Sequence, residues 1–175
     1  MEYLVIKWLH ILSATLLFGT GLGSAFYKWR ADRSGNTHAI YITNRNVVLA
    51  DWLFTTPTVL IQPITGFWLL HLLGLSVLEP WVMLSLILFI SAGLCWLFVV
   101  YLQIKMRDIA YKTIPTKKAL PLHYQQLAKI WFWLGIPAFT AIIMVYALMV
   151  IKPTFASTFI STFTTTVAPM LVVTN

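Results

Sequence analysis

Charge is what this chain has least of. Only 10% of its 175 residues are Asp, Glu, Lys or Arg. An ordinary soluble domain carries about 25%, so a water-facing surface cannot be built from this sequence. Cysteine is nearly absent too: Cys95 stands alone inside an apolar run, which excludes an intramolecular disulfide and any multi-thiolate metal site. A cleaved signal peptide is not expected either. The first apolar run is too long, no basic region precedes it, and the cations follow it. No internal repeat is visible.

What is abundant is apolar. Hydrophobic residues make up 59% of the chain and the mean hydropathy is +0.83. Aromatics reach 15% with eight Trp, which suits indole rings placed at two membrane–water boundaries. The net charge of +7 does not point to nucleic acid, because the basic residues sit in two connections between apolar runs, where orientation signals belong.

A hydrocarbon core takes about 20 mostly apolar residues to cross. Four stretches qualify: 3–27, 47–74, 81–103 and 127–151. A soluble bundle would show a polar face on every helix, whereas Trp81 to Tyr101 has almost none. The expected fold is all-α, a polytopic four-helix membrane bundle over residues 1–152. The tail 153–175 is free of charge, rich in Thr and Ser, and carries Phe155, Phe159 and Phe163 at spacing four. It reads either as a short interfacial helix or as a disordered tail.

The first connection carries Lys28, Arg30, Arg33 and Arg45 against Asp32; the third carries Lys105, Arg107, Lys112, Lys117 and Lys118 against Asp108. Lys and Arg excess marks the cytoplasmic side. Both termini are therefore expected outside a bacterial cytoplasmic membrane.

Ionisable groups inside a spanning helix cost a few kcal/mol each and call for a reason. The first helix aligns Lys7, His10, Ala14, Leu17, Gly21 and Ser24 on one stripe, which faces protein or a cofactor better than lipid. Its Gly19-Thr20-Gly21-Leu22-Gly23 run lacks the context of a dinucleotide loop and suits close helix packing. The second helix aligns Asp51, Thr55, Thr58, Gln62 and Thr65, with Pro57 and Pro63 interrupting its backbone ladder. That seam suits either a lined cavity or interhelical hydrogen bonds. For Asp51 the first reading is an ion pair with Arg45 or Lys129, and the second a proton relay.

Imidazole is the usual protein ligand of haem iron. His10 and His71 fall about 10 Å and 5 Å below the outer surface at 1.5 Å per residue, a depth at which neighbouring helices can share one haem. The competing readings are an interhelical hydrogen bond for His10 and snorkelling for His71, which lies roughly 200° around the helix from Asp51. His38 and His123 fall in the basic connections. The six Met are scattered, a weak basis for a copper site.

The opening helix, Lys7-Trp8-Leu9-His10-Ile11 followed by Phe18-Gly19-Thr20-Gly21, resembles that of a superfamily of small four-helix membrane proteins. It includes HemJ-type protoporphyrinogen oxidases and the CopD-type copper-resistance membrane domain. The resemblance implies that His10 ligates haem b and that Lys7 meets a carboxylate. With Gly66-Phe67-Trp68 and the Pro-containing second helix, the chain looks closest to the domain-of-unknown-function 2269 family of predicted integral membrane proteins, over most of residues 1–150. It departs from the HemJ pattern after Trp81. Val82-Met83-Leu84-Ser85 and Cys95-Trp96 stand where that branch carries a Lys and a His, so porphyrinogen oxidation is not expected.

The expected function is thus a haem b-binding membrane protein handling electrons in the outer half of the bilayer, alone, as a homo-oligomer or with a redox partner. The alternatives are a non-catalytic anchor or assembly partner of another enzyme and, less well supported, a small-solute or metal transporter. The topology has a direct check: a reporter active only in the periplasm, fused at Asn175, should be active.

Overall fold

The computed structural model describes residues 1–116 and 119–153. The tail expected as an interfacial helix or a disordered segment falls, apart from Pro153, outside the described residues. Five helices carry the fold: α1 (Glu2–Ser34), α2 (Thr37–Ala50), α3 (Thr56–Leu73), α4 (Pro80–Thr113) and α5 (Leu122–Ile151). A π-helical turn, Asp51–Thr55, joins α2 to α3 into one rod, and a short 3₁₀ turn, Ile114–Thr116, follows α4. No strand occurs among the described residues.

Four rods are long and apolar enough to cross a membrane: 2–34, 37–73, 80–116 and 122–151. The expectation of four spans in an all-helical bundle holds. What the sequence suggested as basic connections is mostly helix, however. α1 runs on to Ser34 and α2 starts at Thr37, so only Gly35 and Asn36 lie between them. Gly35 ends α1 with a left-handed φ of 67°, a conformation glycine adopts without Cβ strain. The Asn36 side chain then accepts from the amides of His38 and Ala39 at 3.0 and 3.1 Å, capping α2. At the other end of the rod Gly74, at φ 64°, stops α3. Pro80 opens α4 as one of its first residues, where its missing N–H costs nothing.

The π turn has a local cause. Pro57 has no N–H for the carbonyl four residues back, and its ring would clash there. The chain widens by one residue just before it, and the Thr56 amide bonds the Asp51 carbonyl instead. The Thr56 hydroxyl donates to that same carbonyl at 2.9 Å.

α4 packs along α5 and α1 along α3, while α2 lies against both α1 and α4. The buried core gathers where α2 joins the pairs: Ile40, Leu102, Met106, Ala110, Tyr124, Leu127 and Trp131. Towards the termini the outward faces carry exposed Leu, Ile and Phe side chains, which only lipid can solvate.

Into this core the fold draws a cation. Lys28, expected in a connection, is completely buried. Its Nζ donates to Asp32 Oδ2 at 2.7 Å and to the Tyr124 hydroxyl at 3.3 Å. Tyr124 donates to Asp32 Oδ1 at 2.6 Å and accepts from Asn44 Nδ2 at 3.0 Å. The ammonium also lies 5.4 Å from the Tyr124 ring centroid and 5.2 Å from that of Trp131, close enough for cation–π attraction. Removing one partner from such a set leaves buried donors unmet, which costs about 1–3 kcal/mol. Tyr124→Phe should therefore lower the thermal unfolding midpoint in detergent while leaving helix content intact, as circular dichroism will show.

Candidate functional site

The intramembrane polar residues form two clusters. The first links α1 to α3. The ring of His10 makes a 2.8 Å hydrogen bond through Nδ1 to Thr65 Oγ1. Thr65 Oγ1 also lies 2.7 Å from the Ile61 carbonyl; with its hydroxyl donating there, its oxygen accepts from the Nδ1–H tautomer of His10. Gln62 Nε2 donates to the His10 carbonyl and to Ser13 Oγ, both at 2.9 Å. A Cβ on Gly66 would lie 3.5 Å from His10 Cε1, an ordinary packing contact, so this position of α3 faces the imidazole edge.

The second cluster surrounds Asp51, which is 5% exposed. Its Oδ1 accepts from Thr55 Oγ1 at 2.9 Å. Gln103 and Trp96, on α4, are hydrogen-bonding neighbours of the carboxyl, while Gln103 Oε1 and Trp131 Nε1 are buried with no hydrogen-bond partner among the described residues. Asp51, Trp96, Gln103 and Trp131 all line a cavity of about 290 Å³ between the α1/α3 and α4/α5 pairs.

The seam expected on the second span divides between these clusters. Asp51 and Thr55 line the cavity. Thr58 is buried but donates to the Phe54 and Thr55 carbonyls, while Gln62 and Thr65 serve His10. The five therefore line no continuous polar path. The stripe on α1 also divides. Lys7 is exposed, with its ammonium 5.6 Å from the Tyr3 ring centroid. The Ala14 carbonyl accepts from the Tyr146 hydroxyl at 2.7 Å, and Leu17, Gly21 and Ser24 line the cavity.

Two expectations need correction or redrawing. Asp51 has no ion pair with Arg45 or Lys129: both cations are exposed, and Arg45, six residues earlier, points roughly 240° away around the helix. The ion pairs present among the described residues are Lys28–Asp32 and Arg107–Asp108. His71 is not brought to His10. It lies roughly 240° beyond Thr65 around α3 and is exposed.

Sequence reasoning missed Tyr124, Trp96, Gln103 and Trp131. Gln103 carried a signal, being a polar residue at the end of an apolar run, whereas aromatic rings in an aromatic-rich chain carry none. Among the described residues no group of three or more His, Cys, Asp or Glu is placed to hold a metal by itself.

Comparison with known proteins yields one family, described as "Predicted integral membrane protein (DUF2269)", which matches residues 4–153. No curated protein and no solved structure matches the chain.

The first cluster can be probed through stability. Interhelical hydrogen bonds in membranes contribute about 0.5–2 kcal/mol. Gln62→Met, which removes both donations to α1, should lower the unfolding midpoint by a matching amount and increase proteolytic nicking of α1 in detergent.

Proposed function

This chain belongs to the DUF2269 family of predicted integral membrane proteins, and we propose that it is a haem b-binding electron-transfer protein of the bacterial cytoplasmic membrane with His10 as the iron ligand. One observation carries the reading. Nδ1 of His10 lies 2.8 Å from Thr65 Oγ1, and the Thr65 hydroxyl has the Ile61 carbonyl within reach as its own acceptor. This arrangement suits the Nδ1–H tautomer with its lone pair on Nε2, the support that metal-ligating imidazoles use.

The surrounding residues fit the same role. Gln62 fixes the backbone of His10 through its carbonyl, so the imidazole is presented from a braced turn and not from a swinging side chain. Gly66 takes no space beside the ring. Lys7, one turn nearer the N-terminus and exposed, is free to meet an anionic carboxylate. The likeness of the opening helix to that of HemJ-type proteins supports the assignment. Bound haem would supply one-electron redox chemistry, while the chain supplies ligand, burial and charge. Oxidation of a porphyrinogen is not part of this reading, because the membrane portion of α4, 81–103, has neither Lys nor His.

Protein purified in detergent after expression with ample haem should show a Soret band that His10→Ala abolishes. Thr65→Val should weaken haem retention by about 10–100-fold, the usual cost of losing a supporting bond to a metal ligand. Because the structure brings no second imidazole to His10, the reduced protein should bind carbon monoxide. Purified wild-type protein without a Soret band, or a band indifferent to His10→Ala, overturns the reading.

A further inference from the structure

The cavity beside Asp51 exists because three helices give up side chains along it. Gly21 on α1, Gly93 on α4 and Gly135 on α5 all line it, and a Cβ built on Gly93 or Gly135 would meet nothing within 4 Å. Small residues alone would make a packing defect. This cavity also has buried polar groups aimed into it. Asp51, Gln103 and Trp131 are 5%, 3% and 9% exposed, and Gln103 Oε1 and Trp131 Nε1 are left without a partner. Buried polar atoms of native proteins are nearly always satisfied, by protein, water or ligand.

The polar groups are not spread evenly. Along every helix that lines the cavity they lie towards the basic end of the molecule: Asp51 and Thr55 on the π turn, Trp96 and Gln103 on α4, Trp131 on α5. The lining towards the middle of the bilayer is Leu17, Phe18, Val59, Phe89, Phe139 and Ile142. A polar head and an apolar body are both accommodated, in a fixed direction. Leu22, Phe132 and Ile136 line the same space and are 53%, 49% and 42% exposed on the lipid side, so the way in is lateral.

The unpartnered atoms select the kind of head. With Trp96 and Gln103 turned to the Asp51 carboxyl, the Gln103 oxygen still needs a donor and the Trp131 indole N–H still needs an acceptor. A cation would serve only the oxygens, and it would stand near the Lys28 ammonium, which already lies over the Trp131 ring. An anion would meet the Asp51 carboxyl. A neutral group that donates and accepts at once meets both needs. Size follows from volume: a cavity of about 150 Å³ holds benzene, so about 290 Å³ has room for two fused rings.

We propose that the Asp51 cavity binds a small, neutral, lipid-soluble molecule of about two-ring size, taken from the bilayer, whose hydroxyl head lies among Asp51, Gln103 and the indoles of Trp96 and Trp131. This site is separate from His10 and does not depend on haem binding there.

2-Naphthol is a suitable probe, its hydroxyl both donating and accepting. Uptake into phosphatidylcholine nanodiscs carrying the full chain should exceed that of empty nanodiscs, saturably, at one molecule per chain. Naphthalene, with the same body and no head, should bind about tenfold more weakly, the effect of one unmet hydrogen bond to a buried group. Gly135→Leu puts a side chain into open space, so the fold tolerates it, and saturable uptake should disappear. Asp51→Leu should lower affinity at least tenfold; if that variant does not fold, Gly93→Leu gives a second blocking test. The proposal is overturned by uptake no greater than in empty nanodiscs, or by naphthalene binding as well as naphthol. Unchanged binding in folded Gly135→Leu, or saturable binding of tetraphenylphosphonium in preference to naphthol, would also overturn it. None of these readouts involves a Soret band, so failure here and failure of the haem reading are told apart.

Discussion

An ammonium group without access to solvent governs how this bundle is joined. Lys28 cannot stay charged in a buried place unless its protons are taken up, and the fold supplies Asp32 from one turn further along α1 and Tyr124 from α5. Tyr124 in turn draws in Asn44 from α2. Three helices thus meet at one oxygen, and the apolar core of Ile40, Met106 and Leu127 closes around that meeting point. Buried ion pairs often give little net stability but penalise every arrangement that separates them. Among four greasy rods, which lipid solvates as well as they solvate one another, this penalty is what selects one packing.

Fixing the rods at the basic end has a cost elsewhere. With the α1/α3 and α4/α5 pairs held there, and with glycines facing between them, the space beyond is not filled. The Asp51 cavity is the result, and its unpartnered atoms lie just beyond the tightest part of the core. The His10 cluster stands on the other side of that space, towards the termini, and is built within a single helix pair. The two polar sites differ accordingly: one is braced and supplied with its partners, the other has groups waiting for some.

Much of the fold was legible because lipid imposes a simple rule on length and polarity. The four spans and the inward seam on the second span follow from apolar run length and from spacing. The seam's role was less legible. Spacing places Thr58 and Thr65 on one face but does not reveal that their hydroxyls bond their own backbone. Arg45 and Lys129 were close to Asp51 in depth, but facing is decided by rotation, and both turn outward. Lys28 looked like a solvated cation because nothing in a one-dimensional pattern shows that the helix continues past the bilayer and carries it inward. Tyr124, Trp96 and Trp131 were hidden for a related reason: in a chain so rich in rings, an aromatic residue holding a hydrogen-bond network reads like any other.

The distance along the chain between Lys28 and its Tyr124 partner, 96 residues, also matters in time. Synthesis proceeds from the N-terminus at about 5–20 residues per second, so Lys28 and Asp32 exist for about 5–20 s before Tyr124 is made. During that interval the first helices have to keep the cation at the headgroup boundary, where its long stem lets it reach water. Only when the last helix is inserted can the ammonium be withdrawn and the bundle lock. This junction is therefore completed only once α5 is made, whereas the Lys28–Asp32 pair within α1 can form from the start.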